Sequence, residues 1–109
     1  MNSYRYLWIG ESLQNQKEEI LRQLEEDRLT KDVFALILPV NDKVLLNIVP
    51  GHFLKQEYYL TSGQTVFGLA GSRAEAKELA AAVILGMYRE TGAFDLRTYL
   101  AKTEEAWDD

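Results

Sequence analysis

The chain has no cysteine and a single histidine, His52, among its 109 residues. The first absence removes disulfides, thiolate nucleophiles and every cysteine-based zinc or iron–sulfur site. A lone histidine makes no common zinc site unless carboxylates complete it, and none stands at a ligand-like spacing. No metal and no cofactor is therefore expected. Basic charge is scarce as well: 12 Lys and Arg against 17 Asp and Glu leave a net charge of −5. That balance disfavours nucleic acid and anionic membrane, where phosphate neutralisation supplies the attraction. Long hydrophobic runs are missing too. The longest, Val33 to Val40 and Leu79 to Tyr88, fall well short of the roughly 20 residues that span a bilayer. The opening MNSYRYLWIGES has too short an apolar stretch for a signal-peptide core and no small-residue cleavage site. A cytoplasmic protein is the expectation.

What is present matches an ordinary folded domain. The 47% hydrophobic and 27% charged contents are globular values. We expect one α+β domain over 1–109, with an acidic tail from about 104 to 109 that frays. The predicted order is β-α-β-β-β-α-α: a small mixed sheet of three to four strands, two long helices and a short C-terminal helix, in two layers.

Residues 4–9 (YRYLWI) are aromatic and β-branched, which predicts a strand ended by Gly10. Leu13, Ile20, Leu21 and Leu24 then form one stripe of a helix from about Ser12 to Asp27. Val33 to Leu38 is apolar without alternation, as in a strand buried on both faces and therefore central. Pro39 ends it, Asn41-Asp42 turns, and Lys43 to Val49 reads as the returning strand of a hairpin. Residues 52–60 are ambiguous between one or two helical turns and an irregular edge segment. Thr65 to Ala70 is the last strand. Ser72 and Glu75 form a capping box, in which the carboxylate reaches back to the N–H of residue 72. The helix they open runs to about Glu90 and closes at Gly92. Asp95 caps a final helix of roughly 95–106 carrying Leu96, Tyr99 and Leu100.

The second helix carries more apolar surface than one face needs. Ala76, Leu79, Ala80, Val83 and Met87 make the core side. Ala81, Leu85 and Tyr88, at i, i+4 and i+7, make another stripe nearly opposite. Either the last helix folds back over that stripe, or a protein partner does. Tyr4, Tyr6 and Trp8 share one strand face and offer either packing beneath a helix or a contact surface.

Groups for chemistry are few. The turn Gly68-Leu69-Ala70-Gly71-Ser72 leads into a helix N-terminus that could hold an anion beside Arg73. It lacks both the P-loop lysine and the dinucleotide glycine spacing, and capping alone accounts for Ser72 and Glu75. A ligand site there would use the loop from His52 to Tyr59, with Tyr58, as its wall. Catalysis would have to draw on His52, Glu57, Tyr58 and Arg97, which no spacing aligns. The favoured expectation is a non-catalytic protein-interaction module that self-associates as a homodimer or binds another protein. The alternative is a small-molecule or anion-binding regulatory domain.

Overall fold

The computed structural model describes residues 2–30, 32–40, 44–56, 58 and 63–107, with residues 5, 6 and 104–107 described by their backbone alone. Strand β1 (Asn2–Ile9) leads through Gly10 into a 3₁₀ helix (Glu11–Gln16) and α1 (Lys17–Glu25). Strands β2 (Phe34–Leu38) and β3 (Asn47–Pro50) follow, then a short 3₁₀ helix (Gly51–Lys55) and β4 (Thr65–Ala70). Helices α2 (Arg73–Thr91) and α3 (Leu96–Trp107) close the chain. Among the described residues the four strands form one mixed sheet in the order β1-β4-β2-β3. Phe34 stands opposite Pro50 on β3 and Ala70 on β4, both antiparallel, whereas β1 runs parallel to β4 with Ile9 opposite Leu69. The fold is α+β.

The apolar run of β2 has the cause expected of it. Leu36 and Leu38 join Phe67 and Ala70 on one face, packed with Ala76, Ala80, Val83 and Met87 of α2 and with Leu96, Tyr99 and Leu100 of α3. Ala35 and Ile37 join Val66 and Leu69 on the other, packed with Leu13 and with Ile20 and Leu24 of α1. The helices thus lie on both faces, and the arrangement has three layers rather than the expected two. A central strand that is apolar at every position requires this, because either face left open would expose alternate residues.

Other boundaries also shift. The first helix starts as 3₁₀ and stops at Glu25, two residues early, because Asp27 enters the left-handed region at φ 55°. There the Asp27 N–H donates to the Leu24 carbonyl and the Arg28 N–H to that of Gln23, which closes the helix as a glycine would. Strand pairing in β3 begins only at Asn47. Leu45 and Leu46 both pack into the α2–α3 side of the core, and consecutive strand residues cannot share a face. The predicted turn at Asn41-Asp42 and residue Lys43 lie outside the described residues. The ambiguous segment resolves over Gly51–Lys55 as a 3₁₀ turn, while Glu57, Tyr59 and Leu60 lie outside the described residues. The last helix runs from Leu96 to Trp107, against the predicted 95–106.

Helix α3 reaches the core by crossing α2 at Gly86. A Cβ built there would stand 2.6 Å from Tyr99 Oη and 3.3 Å from its Cζ. Tyr99 is itself only 5% exposed and its ring centroid lies 6.4 Å from that of Trp8, so the hydroxyl cannot simply swing away. Alanine at this position gains about 1 kcal/mol of helix propensity but meets the hydroxyl. Gly86→Ala should therefore lower stability by roughly 1 kcal/mol net in urea denaturation. Repeated in a Tyr99→Phe background it should become neutral or stabilising, since the obstructing oxygen is gone. Equal costs in both backgrounds would show that the hydroxyl does not limit the crossing.

Candidate functional site

Two parallel strands, β1 and β4, end side by side, and each is followed at once by a helix. Their loops meet at Glu75. Its Oε1 accepts from the Gly71 N–H at 2.7 Å and from Ser12 Oγ at 2.7 Å, and its Oε2 accepts from the Ser12 N–H at 3.1 Å. Ser72 Oγ accepts from the Glu75 N–H at 3.0 Å, so the first half of the expected capping box is present. The second half differs: the carboxylate passes residue 72 and ties Gly71 to the start of the first 3₁₀ helix. Two glycines make room. A Cβ at Gly10 would lie 2.2 Å from Glu75 Oε1, and one at Gly71 would lie 2.2 Å from Ser12 Oγ.

This geometry answers where an anion would sit at the start of α2. A carboxylate of the chain itself stands beside that place, accepting from the N–H of Gly71 just ahead of the N-cap and from that of Ser12 at the start of the first 3₁₀ helix. Arg73 is turned elsewhere, its guanidinium 5.1 Å from the centroid of the Phe34 ring. The topology does bring His52 to the same end of the sheet, since Pro50 and Ala70 flank Phe34. His52 packs edge-on to Phe53 at 4.7 Å, and its shielded Nδ1 has no hydrogen-bond partner. Tyr58 is exposed at 65%, and Tyr59 lies outside the described residues. Arg97 donates to the Pro39 carbonyl at 3.3 Å. Asp95 is engaged by the Thr98 hydroxyl and N–H, which hold its carboxyl below the usual range while capping α3. Among the described residues no group of acidic or histidine side chains could hold a metal ion, and no helix is long and apolar enough to cross a membrane.

The outer face of α2 presents a different surface. Ala81 is exposed, as are Leu85 at 49% and Tyr88 at 53%. The expected fold-back of α3 over them does not occur. Leu96, Tyr99 and Leu100 are committed to the core on another side of α2, where Gly86 admits them. Phe94 instead returns onto the last turn, its ring 5.5 Å from that of Tyr88, and is itself 64% exposed. With half-buried Ile84 these residues line an open depression of about 420 Å³ whose walls are almost wholly apolar. Phe94 and Ile84 were not singled out from the sequence. The signal for Phe94 was Gly92, at φ 69°, because glycine-closed helices commonly return an apolar residue to their last turn.

Tyr4 and Trp8 lie in the other candidate contact face, and both pack against the α2–α3 side of the core. Of Tyr6 only the backbone is described. Tyr4 and Trp8 thus serve packing within the fold, whereas the outer stripe of α2 is open. No family model matches this sequence, and no curated protein or solved structure matches it either.

The Glu75 junction makes a pH-dependent contribution to stability. Partial burial raises its pKa, but the Gly71 N–H and then the Ser12 hydroxyl and N–H outweigh that and hold the carboxyl below the usual range. A depressed folded value means that the unfolded chain binds the proton more tightly. The stabilisation is therefore full above the unfolded carboxylate value and lost as pH falls through the folded one. Glu75→Gln should cost about 1–2 kcal/mol at neutral pH, the worth of charge-assisted bonds at a partly exposed site. The gap between wild type and variant in denaturant titrations should be flat above roughly pH 5 and close toward acid. A gap independent of pH would show that the charge does not hold the junction.

Proposed function

We propose that this domain acts by protein contact, as a non-catalytic interaction module whose contact surface is the outer face of α2. One observation carries the reading: Ala81, Leu85 and Tyr88 form a continuous stripe, extended by Phe94 and exposed along its length. Isolated exposed apolar residues are ordinary on any protein, but aligned ones that include two aromatics are enriched where proteins meet. Aromatic side chains on a regular helix also lose little conformational freedom when covered. The absence of cysteine and the acidic balance fit a cytoplasmic module free of nucleic acid and membrane.

Leu85→Arg tests it. The site is half-exposed, so circular dichroism and melting should change little. The mass of the assembled species, measured for the purified protein and in native extract, should fall to that of the free 12.5 kDa chain. An unfolded variant would make the stripe part of the fold. Wild type and variant both running as free chain in both settings would remove the reading.

A further inference from the structure

We propose that the occupant of this stripe is the same stripe of a second copy, the two α2 helices lying antiparallel across a two-fold axis. The proposal rests on the contact reading above and names its partner. At 3.6 residues per turn, Ala74, Ala81, Leu85 and Tyr88 fall within about 60° of arc on α2. All four are exposed. The stripe tapers in bulk, from alanines at the N-terminal end to Tyr88 and Phe94 at the C-terminal end. Two tapers fit when one is reversed. The aromatic end of each helix then covers the alanine end of the other, and the backbones can approach to the 8–10 Å of ordinary helix packing. A parallel pair would set aromatics against aromatics and leave the alanine ends facing a gap.

The charges point to the same arrangement. Glu78 and Arg89 border the stripe along one flank, about 16 Å apart. Both are exposed, and among the described residues neither makes an ion pair within the chain. In an antiparallel pair the same flanks of the two helices face one another. Glu78 then meets Arg89 of the second copy, and the two-fold axis repeats the pair. Parallel alignment would set opposite flanks together, Glu78 against the exposed Lys77, and would leave Arg89 with no acidic side chain to meet. The symmetric contact is self-complementary in shape and in charge, which an isologous interface requires. One helix face per copy lies at the small end of specific interfaces, so association belongs in the micromolar range.

Sedimentation equilibrium of the purified chain from roughly 1 μM to 1 mM, with circular dichroism to confirm the fold, decides the matter. Wild type should pass from monomer to dimer, and Leu85→Arg should remain monomeric. Glu78→Arg and Arg89→Glu should each weaken the dimer by about tenfold, since each converts two attractions into two repulsions. The double variant Glu78→Arg/Arg89→Glu recreates both pairs with signs exchanged and should regain wild-type affinity. Additive loss in the double variant would overturn the antiparallel arrangement. A wild type monomeric throughout would overturn self-pairing. In that case the contact reading survives only if Leu85→Arg still releases another protein from a complex with this one in extract; if it releases none, both fall.

Discussion

The Glu75 carboxylate holds the start of α2 to the start of the first 3₁₀ helix, and so fixes where α2 begins on the sheet. Gly71, Ser12 and Gly10 belong to the ends of two neighbouring parallel strands. Each strand end must release its chain into a helix, and each helix start carries N–H groups with no partner of their own. One side chain answers several of these needs together. It can do so only because Gly10 and Gly71 are bare: a methyl at either would displace a ligand of the junction. The glycine-bearing turn thus serves an internal anion. Capping residues and anion-binding residues are the same types for the same electrostatic reason, so composition alone does not separate the two uses.

With its first turn fixed, α2 has three sides to dispose of. One lies on β4 and β2 through Ala76, Ala80, Val83 and Met87. A second accepts α3 at the notch of Gly86, where Tyr99 enters beside Trp8. Among the described residues the third stays open except where Phe94 returns onto its last turn, since α3 has only one apolar edge and spends it on the core. This is why the helix is apolar almost all round while only part of it is buried. Such a pattern usually denotes full burial. Here it denotes two intramolecular contacts and one surface left to the solvent.

The legible parts of the fold were those with a local cause. Thr65 to Ala70 matched its strand to the residue, and β2 disclosed its central position because an unbroken apolar run has only one comfortable place in a sheet. Ser72 and Gly92 marked the ends of α2 by backbone chemistry confined to one turn. What escaped had causes distant in sequence. Ser12 and Glu75 are 63 residues apart, so their bond could not be read from either neighbourhood. The stripe of Leu13, Ile20 and Leu24 showed that the first helix buries one side, but not which sheet face receives it. Asp27 closes that helix at positive φ without being glycine, which the usual stop signals do not anticipate. The outer stripe of α2 was visible as a pattern, whereas its exposure depended on where α3 lands. Gly86 held that information, as a small residue inside a helix that later proves to be a crossing point.

The same division would let the outer face serve the proposed contact without burdening the fold. The sheet, α3 and the Glu75 junction together hold α2, and none of these uses Ala81, Leu85 or Tyr88. Changes on the stripe are therefore separable from stability, as a docking surface requires. The helix is also rigid before anything meets it, being closed at both ends by Ser72 and Gly92. Association then orders only a few side chains, and the conformational entropy that opposes binding stays small. Tyr88 and Phe94 lower it further, because each ring already restrains the other at 5.5 Å. A small contact can be specific under these conditions, its geometry having been set by folding rather than by the encounter.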